Sequence, residues 1–581
     1  NMANAYRAGV KPEDATIRAA NSYLYRDPDD PNSLPISVLP NGGILKHTQY
    51  AINQWDFRAT ATYDRDFAGK YRVNAMAGME ASKFDRLTES YQGWGICFNN
   101  GNIPFTDWKL FKQQNEENLN YYSYTPSTVR NMAYFGTASF MYDNRYIVMG
   151  TIRYEGSNKL GRSTQSRWLP TWNVSGSWNI DSESWFANPV LSTAKFRVSY
   201  SLTADSGLPQ VSNASAVYYP SRPWRQDTYA YEQALYLSAL ANGELTYEKK
   251  HELNIGADLG FLNNRINLVV DWYKRNNFDL IGRIYTQGVG GEIMKYANVA
   301  SMASHGVEFT VTTHNIMTRD FNWTTDFTFS YAKNKITDLT SRSRVIDLVP
   351  GTGFAMQGYP VRAIFSIPFV GLTEDGIPQF INENGEITTT DINMQEWEKL
   401  GHLVYEGPVD PIYTGGFGNT FTYKNWSLNV FMTYAFGNKL RLDPVFSASY
   451  SDLTAMPKDF MDRWVASGDE KFTNVPAIAS LRQYYNDRQL SYAYNAYNYS
   501  TERIAKGDFI RMKEISLQYQ FPENWNKALR ISNASLKFAA TNPFLIYADK
   551  RLHGQDPEFF NNGGVASPNP KQFTFTVRVG F

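Results

Sequence analysis

The chain is 581 residues long and carries 56 basic and 56 acidic side chains, a formal net charge of +0. That balance excludes a nucleic-acid binder driven by phosphate neutralisation, and a single cysteine, Cys97, excludes an internal disulfide. Aromatic residues make up 15% of the chain, with 39 Tyr, 36 Phe and 14 Trp, a load typical of the interfacial girdles of membrane barrels.

No run of about 18 apolar residues occurs, so no helix is expected to cross a bilayer. The first residues, Asn1-Met2-Ala3-Asn4, lack the basic and apolar regions of a signal peptide, so the chain reads as mature or as a fragment. Residues 1–49 read as an extracellular loop segment. Within it Asp27, Asp29, Asp30 and Asn32 could ligate calcium through oxygen, but Pro28 and Pro31 interrupt them and a solvated loop is the plainer reading.

From residue 50 onward the pattern is strand after strand. About fifteen are expected, near 50–65, 70–85, 129–142, 146–155, 168–180, 193–203, 246–261, 266–280, 303–314, 321–335, 411–423, 426–437, 507–521, 530–546 and 571–581. The clearest alternation is terminal: Phe573, Phe575, Val577, Val579 and Phe581 share one face, and Gln572, Thr574, Thr576, Arg578 and Gly580 the other. Phe321, Trp323, Phe327, Phe329 and Tyr331 repeat it against Asn322, Thr324, Asp326, Thr328 and Ser330. So do Ile266, Leu268, Val270 and Trp272, and again Trp426, Leu428, Val430, Met432, Tyr434 and Phe436.

A soluble sandwich also alternates. The connections favour a membrane barrel instead. Tight turns at Asp143-Asn144-Arg145, Asn263-Asn264-Arg265 and Lys424-Asn425 alternate with long polar loops at 86–128, 204–244, 336–410, 438–506 and 548–570. Short turns inside and long loops outside is the bacterial barrel pattern, with the C-terminus periplasmic. The expected class is therefore all-β, a transmembrane antiparallel barrel in the outer membrane, with residues 50–581 in its wall. Such barrels have even strand numbers, so an odd count here predicts an odd number of earlier strands supplied by a separate or preceding segment.

Several smaller patterns have a bland reading and a chemical one. Ser192-Thr193-Ala194-Lys195 matches the S-x-x-K of penicillin-recognising enzymes, but Lys195 opens a strand and no K-T-G follows. His47, His402 and His553 sit in loops without metal-ligand spacing. Gly415, Gly416 and Gly418 begin a strand, which suits close strand packing or a bend better than a phosphate cradle. The acid pairs Glu116 with Glu117 and Glu396 with Glu398 read as loop charge. No catalytic, cofactor or metal residue is expected. Loop tyrosines and tryptophans are the ligand or partner candidates: Tyr121, Tyr122, Trp224, Tyr229, Tyr484, Tyr485 and Tyr494. Each offers a flat apolar face with a polar edge, suited to a sugar ring, a peptide or a cap protein, and equally to loop self-packing. Phe573, Phe575 and the terminal Phe581 suit a barrel assembly signal.

A family resemblance runs through the same segments. Leu245-Thr246-Tyr247-Glu248 leads into Asp258-Leu259-Gly260-Phe261-Leu262-Asn263-Asn264-Arg265, and Gly306-Val307-Glu308-Phe309 follows. Arg153-Tyr154-Glu155-Gly156-Ser157, Lys195-Phe196-Arg197-Val198-Ser199-Tyr200, Gly507-Asp508-Phe509-Ile510-Arg511-Met512-Lys513 and Asn542-Pro543-Phe544 complete it. In this order they resemble the C-terminal part of SusC-like (SusC/RagA family) TonB-dependent transporters of Bacteroidetes-type bacteria. The resemblance implies a barrel of about twenty-two strands around an N-terminal plug that is not in this chain. It implies a SusD-like surface lipoprotein as partner, energy through TonB, and import of oligosaccharide or peptide. Two other classes remain open from sequence: a secreted all-β glycan-binding protein or hydrolase, and a passive porin or adhesin.

Overall fold

A computed structural model describes residues 4–6, 24–27, 29–39, 43–96, 108–116, 122–159, 167–205, 217–221, 234–239, 242, 244–285, 294–447, 450, 458–559 and 569–581. All fifteen expected strands form. They are β1 (Gly43–Phe67), β2 (Tyr71–Ile96), β3 (Tyr122–Tyr142), β4 (Tyr146–Ser157), β5 (Trp168–Asn179), β6 (Leu191–Asp205), β7 (Glu248–Phe261) and β8 (Ile266–Tyr285). They continue as β9 (Met294–Met317), β10 (Phe321–Leu339), β11 (Tyr413–Tyr423), β12 (Trp426–Phe436), β13 (Phe509–Gln520), β14 (Asn533–Ala548) and β15 (Gln572–Gly580). Each lies beside its neighbour in the chain, and Asn4–Tyr6 adds a sixteenth strand beside β1. From β5 to β15 every pairing is antiparallel. No described helix is long and apolar enough to cross a membrane, which says nothing of crossing by strands.

The expected tight turns are made by residues in the left-handed region. Asp143 (φ 49°) and Asn144 (φ 56°) join β3 to β4, and Leu262, Asn263 and Asn264 (φ 53°, 57° and 61°) join β7 to β8. Lys424 (φ 50°) joins β11 to β12. Asn and Asp enter this region at low cost because their side chains bond locally.

Loop boundaries depart from expectation at several points. Residues 1–49 are not all loop: β1 opens at Gly43, and Asn4, Ala5 and Tyr6 pair with Lys46, Leu45 and Ile44. The 86–128 loop is narrower, because β2 runs to Ile96, a helix covers Trp108–Glu116, and β3 starts at Tyr122. Within 204–244 two short strands pair, Val217–Ser221 with Ala234–Ala239. The strands β1, β2 and β3 outrun their apolar stretches where a neighbouring strand still offers ladder partners.

The chain falls into two compact units. The smaller comprises 1–61, 77–135 and 154–159. Its core is Val38, Leu39, Trp94 and Leu110, and Trp108 meets Tyr25 edge-on at 5.9 Å. The larger comprises 62–76, 136–153 and 160–581. Its main core lies off the sheet, in the segments expected as polar loops. Val345, Leu348, Phe365, Ile367 and Phe380 pack there with Leu490, Ala493, Tyr494 and Tyr497. The last four recur at helical spacing on Leu490–Asn498 and bury one face of that helix.

Candidate functional site

The register of the sheet sorts side chains by chemistry. One row of paired residues runs Trp178, Phe196, Ala257, Val270, Phe309, Phe329, Gly415, Tyr434 and Ile510. One residue along each strand, the row reads Ser177, Arg197, Gly256, Asp271, Glu308, Ser330 and Thr414. Successive side chains leave a strand on opposite faces, so these rows are two surfaces. One is apolar and the other is ionic and polar.

The apolar face is studded with aromatic pairs near the short turns. Tyr142, Tyr146 and Trp178 stack in series at 6.4 and 6.2 Å. Trp323 stacks on Phe421 at 5.6 Å and Trp426 meets Tyr519 at 4.6 Å. Toward the other strand ends Tyr331 meets Tyr413 at 5.4 Å. From Trp323 to Tyr331 is roughly 26 Å of strand, about 20 Å along the normal at the usual tilt, close to the apolar band of an outer-membrane barrel. Two polar tips on this face are satisfied within the protein. The Tyr434 hydroxyl donates to the Thr328 carbonyl at 2.9 Å, and Trp323 Nε1 donates to Asn419 Oδ1 at 2.9 Å.

The opposite face carries ion pairs that tie neighbouring strands. Arg197 on β6 reaches Asp258 on β7 at 2.7 Å and Asp271 on β8 at 3.2 Å. It passes over Gly256, where a Cβ would lie 2.9 Å from its Nη2. Glu252 accepts Lys250 at 2.9 Å and Arg275 at 3.1 Å, and the Arg275 guanidinium lies 3.9 Å from the centre of the Tyr273 ring. Such a surface suits a wet interior, where charges keep much of their hydration.

Above the strands, three buried cations pin the loop core. Arg441 is 3% exposed and donates to the carbonyls of Phe365 and Ser500 and to Ser366 Oγ, at 2.8, 3.0 and 2.8 Å. Burial pushes its guanidinium down to about 9, still protonated at neutral pH. Arg503 donates to Asp459 at 2.6 Å and to the Asp443 carbonyl at 3.1 Å, and His553 Nε2 sits on the other Asp459 oxygen. Burial alone would raise the Asp459 carboxyl; Arg503 and His553 more than offset it and hold it below the usual carboxylate range. Arg511 on β13 pairs with Asp556 and Glu558, fastening the segment that leads to β15. Sequence reading missed all three, since nothing local marks an arginine as buried.

The aromatic candidates scatter. Tyr122 is 49% exposed and its hydroxyl donates to Glu89 at 3.0 Å. Tyr484 packs against the loop core, and its neighbour Tyr485, rings 6.0 Å apart, is exposed. Tyr494 is a correction: it is 1% exposed and its hydroxyl donates to the Ala477 carbonyl, so it is core and offers no face to a ligand. Its helical spacing from Leu490 carried that signal. Tyr121, Trp224 and Tyr229 lie outside the described residues. Phe573 and Phe575 stand exposed on β15 in the apolar row, Phe573 stacked with Phe538 at 6.3 Å, and Phe581 follows at the terminus. Ser192 Oγ accepts the Asn263 amide at 2.7 Å, a turn contact. The Asp27 and Asp30 carboxylates accept the amides of Asp29 and Asn32. Glu396 accepts the amides of Trp397, Glu398 and Lys399. His402 bonds the Lys399 carbonyl rather than His553.

An in-order antiparallel sheet with one apolar and one ionic face defines the wall of a large transmembrane β-barrel, and the comparisons find the chain similar to TonB-dependent receptors. No protein-family model matches the chain. It is 24% identical over 551 residues to TonB-dependent receptor P39 of Formosa agariphila, covering 87% of this chain and 50% of that protein. It is 26% identical over 532 residues to TonB-dependent receptor SusC of Bacteroides thetaiotaomicron, covering 88% and 48%. The solved structure of the RagAB peptide transporter shares the fold, with a TM-score of 0.74 at 21% identity over 93% of this chain and 56% of that one. The likeness to SusC-like receptors read from the sequence therefore extends over most of the chain, and these relatives are named as receptors and a transporter. The chain spans about half the length of the curated relatives it matches.

Proposed function

We propose that this chain forms most of the wall of an outer-membrane importer of SusC type. The wall admits oligomeric nutrients, glycan fragments or peptides, and TonB supplies energy through a plug segment. The long loops face outward, the C-terminus faces the periplasm, and a SusD-like surface lipoprotein covers the mouth. The wall does no covalent chemistry; it offers a hydrated lining and fixed charges. The observation that carries this reading is the switch from the Phe309–Phe329 row to the Glu308–Ser330 row one residue away. A sheet between lipid and water needs both surfaces on every strand, and here they run through consecutive strands in chain order. SusC and RagAB, the latter named a peptide transporter, support the same reading.

The test is growth of a gene-deletion strain on defined oligosaccharides and on peptides as sole nutrient. Loss on one class, restored by the gene but not when TonB is inactivated, is expected. Unaltered growth on every class, or recovery of the protein as a water-soluble monomer, contradicts the proposal.

A further inference from the structure

A cavity of about 300 Å³ opens in the loop region, at the low end for a small-molecule site and roomy enough for one sugar or amino-acid residue. Leu442, Val475 and Tyr497 line it with apolar surface. Tyr497 is 2% exposed, held edge-on by Phe369 and Phe446 at 5.7 and 4.9 Å. Its hydroxyl makes no hydrogen bond among the described residues, although Arg503, Glu502 and Asp459 all act on it electrostatically. The ring is buried, whereas the hydroxyl is not a buried unpartnered atom and stays open to solvent.

The charges lining the cavity are unevenly spent. Arg503 and His553 both go to Asp459. The Arg551 guanidinium donates to the Ile504 and Glu502 carbonyls. Lys550 and Asp462, which also line the cavity, have no ion-pair partner among the described residues, and the Asn474 amide makes no side-chain hydrogen bond there. Exposed Lys550, Asp462 and Asn474 and the Tyr497 phenol thus line one small space, beside Glu502, which Arg551 approaches at 4.0 Å.

We propose that this cavity holds a carboxylate-bearing residue with hydroxyl or amide N–H donors beside the carboxylate. Lys550 pairs with the ligand carboxylate, Tyr497 hydrogen-bonds it from the floor, and Asp462 with Asn474 takes the neighbouring donors. An acidic sugar residue and the carboxyl end of a short peptide both present this chemistry. The inference rests on the import reading, to which it adds a preference for acidic cargo.

Calorimetric titration of the complete protein in detergent tests it, with four probes. Trigalacturonate is compared with its methyl ester, and Ala-Ala-Ala with its C-terminal amide. At least one acid should bind about tenfold more tightly than its neutral counterpart, and Lys550→Gln should erase that margin. Tyr497→Phe, which keeps the ring in the core, should weaken the same acid severalfold. A preference for the sugar acid, for the peptide acid or for both supports the site and identifies its source. No preference in either pair, or one that survives Lys550→Gln, overturns it. Nutrient-dependent growth is measured separately in cells, so that failure would leave the import reading standing.

Discussion

Gly415 shows how a single position couples the two strands beside it. Tyr434 lies across it on the apolar face and donates a hydrogen bond to the Thr328 carbonyl of the next strand but one. A Cβ at 415 would collide with the Thr328 carbonyl and the Tyr434 hydroxyl, and one of them is backbone that cannot turn away. Gly415→Ala should therefore cost about 2 kcal/mol, read as an earlier loss of the compact band in heated electrophoresis. Gly150 has nothing within 4 Å of its would-be Cβ, and Gly150→Ala should leave that midpoint unchanged. Sequence reading assigned Gly415 to close strand packing, since a glycine cluster opening a strand has few other uses. It could not name Tyr434 as the neighbour, because register across strands is set by pairing rather than by local spacing.

At the scale of elements, strands were legible and loop architecture was not. Alternation such as Phe321 to Tyr331 is a repeated local signal, and the Asn and Asp of the tight turns mark where it stops. The loop core is written differently. Ser480 caps the helix Leu481–Asn486 and exchanges hydrogen bonds with Gln483, a signature present in the sequence. The run Leu490, Ala493, Tyr494 and Tyr497 gives the next helix its buried face. Tyrosine counts as polar or apolar according to its surroundings, which hid that periodicity. The Arg503–Asp459–His553 cluster joins residues far apart in the chain, and no local pattern encodes it.

That cluster makes a pH prediction. The Asp459 carboxyl is held below its ordinary value, so its contribution to stability is complete above the unfolded value of about 3.9. It is lost as pH falls through the lower folded value. Amide protection in 458–462 and 501–503 should hold from neutrality to about pH 5 and fall below about pH 4. Asp459→Asn should remove most of this protection at neutral pH, at about 3 kcal/mol, because it leaves Arg503 buried without its counter-charge. Protection in the variant equal to the parent's would show that Arg503 and His553 do not depend on that carboxylate.

For the whole molecule, the consequence of two unlike faces is that neighbouring residues must respond oppositely to the same change. Phe329 belongs to the apolar row and Ser330 to the polar one. Phe329→Arg should cost about 2–4 kcal/mol in membrane-inserted stability, whereas Ser330→Arg should be tolerated within about 0.5 kcal/mol. Refolding into lipid vesicles against a urea series would separate the two.

The most direct measurement is a cysteine scan through Phe327, Thr328, Phe329, Ser330 and Tyr331, with Cys97 replaced by serine, in the complete protein in vesicles. Each cysteine is labelled with a fluorophore and challenged with brominated lipid and with a water-soluble quencher. Labels at 327, 329 and 331 should be quenched from the lipid, and those at 328 and 330 from water. Equal quenching along the strand, or the opposite alternation, would contradict the assignment of one face to hydrocarbon and the other to a hydrated passage.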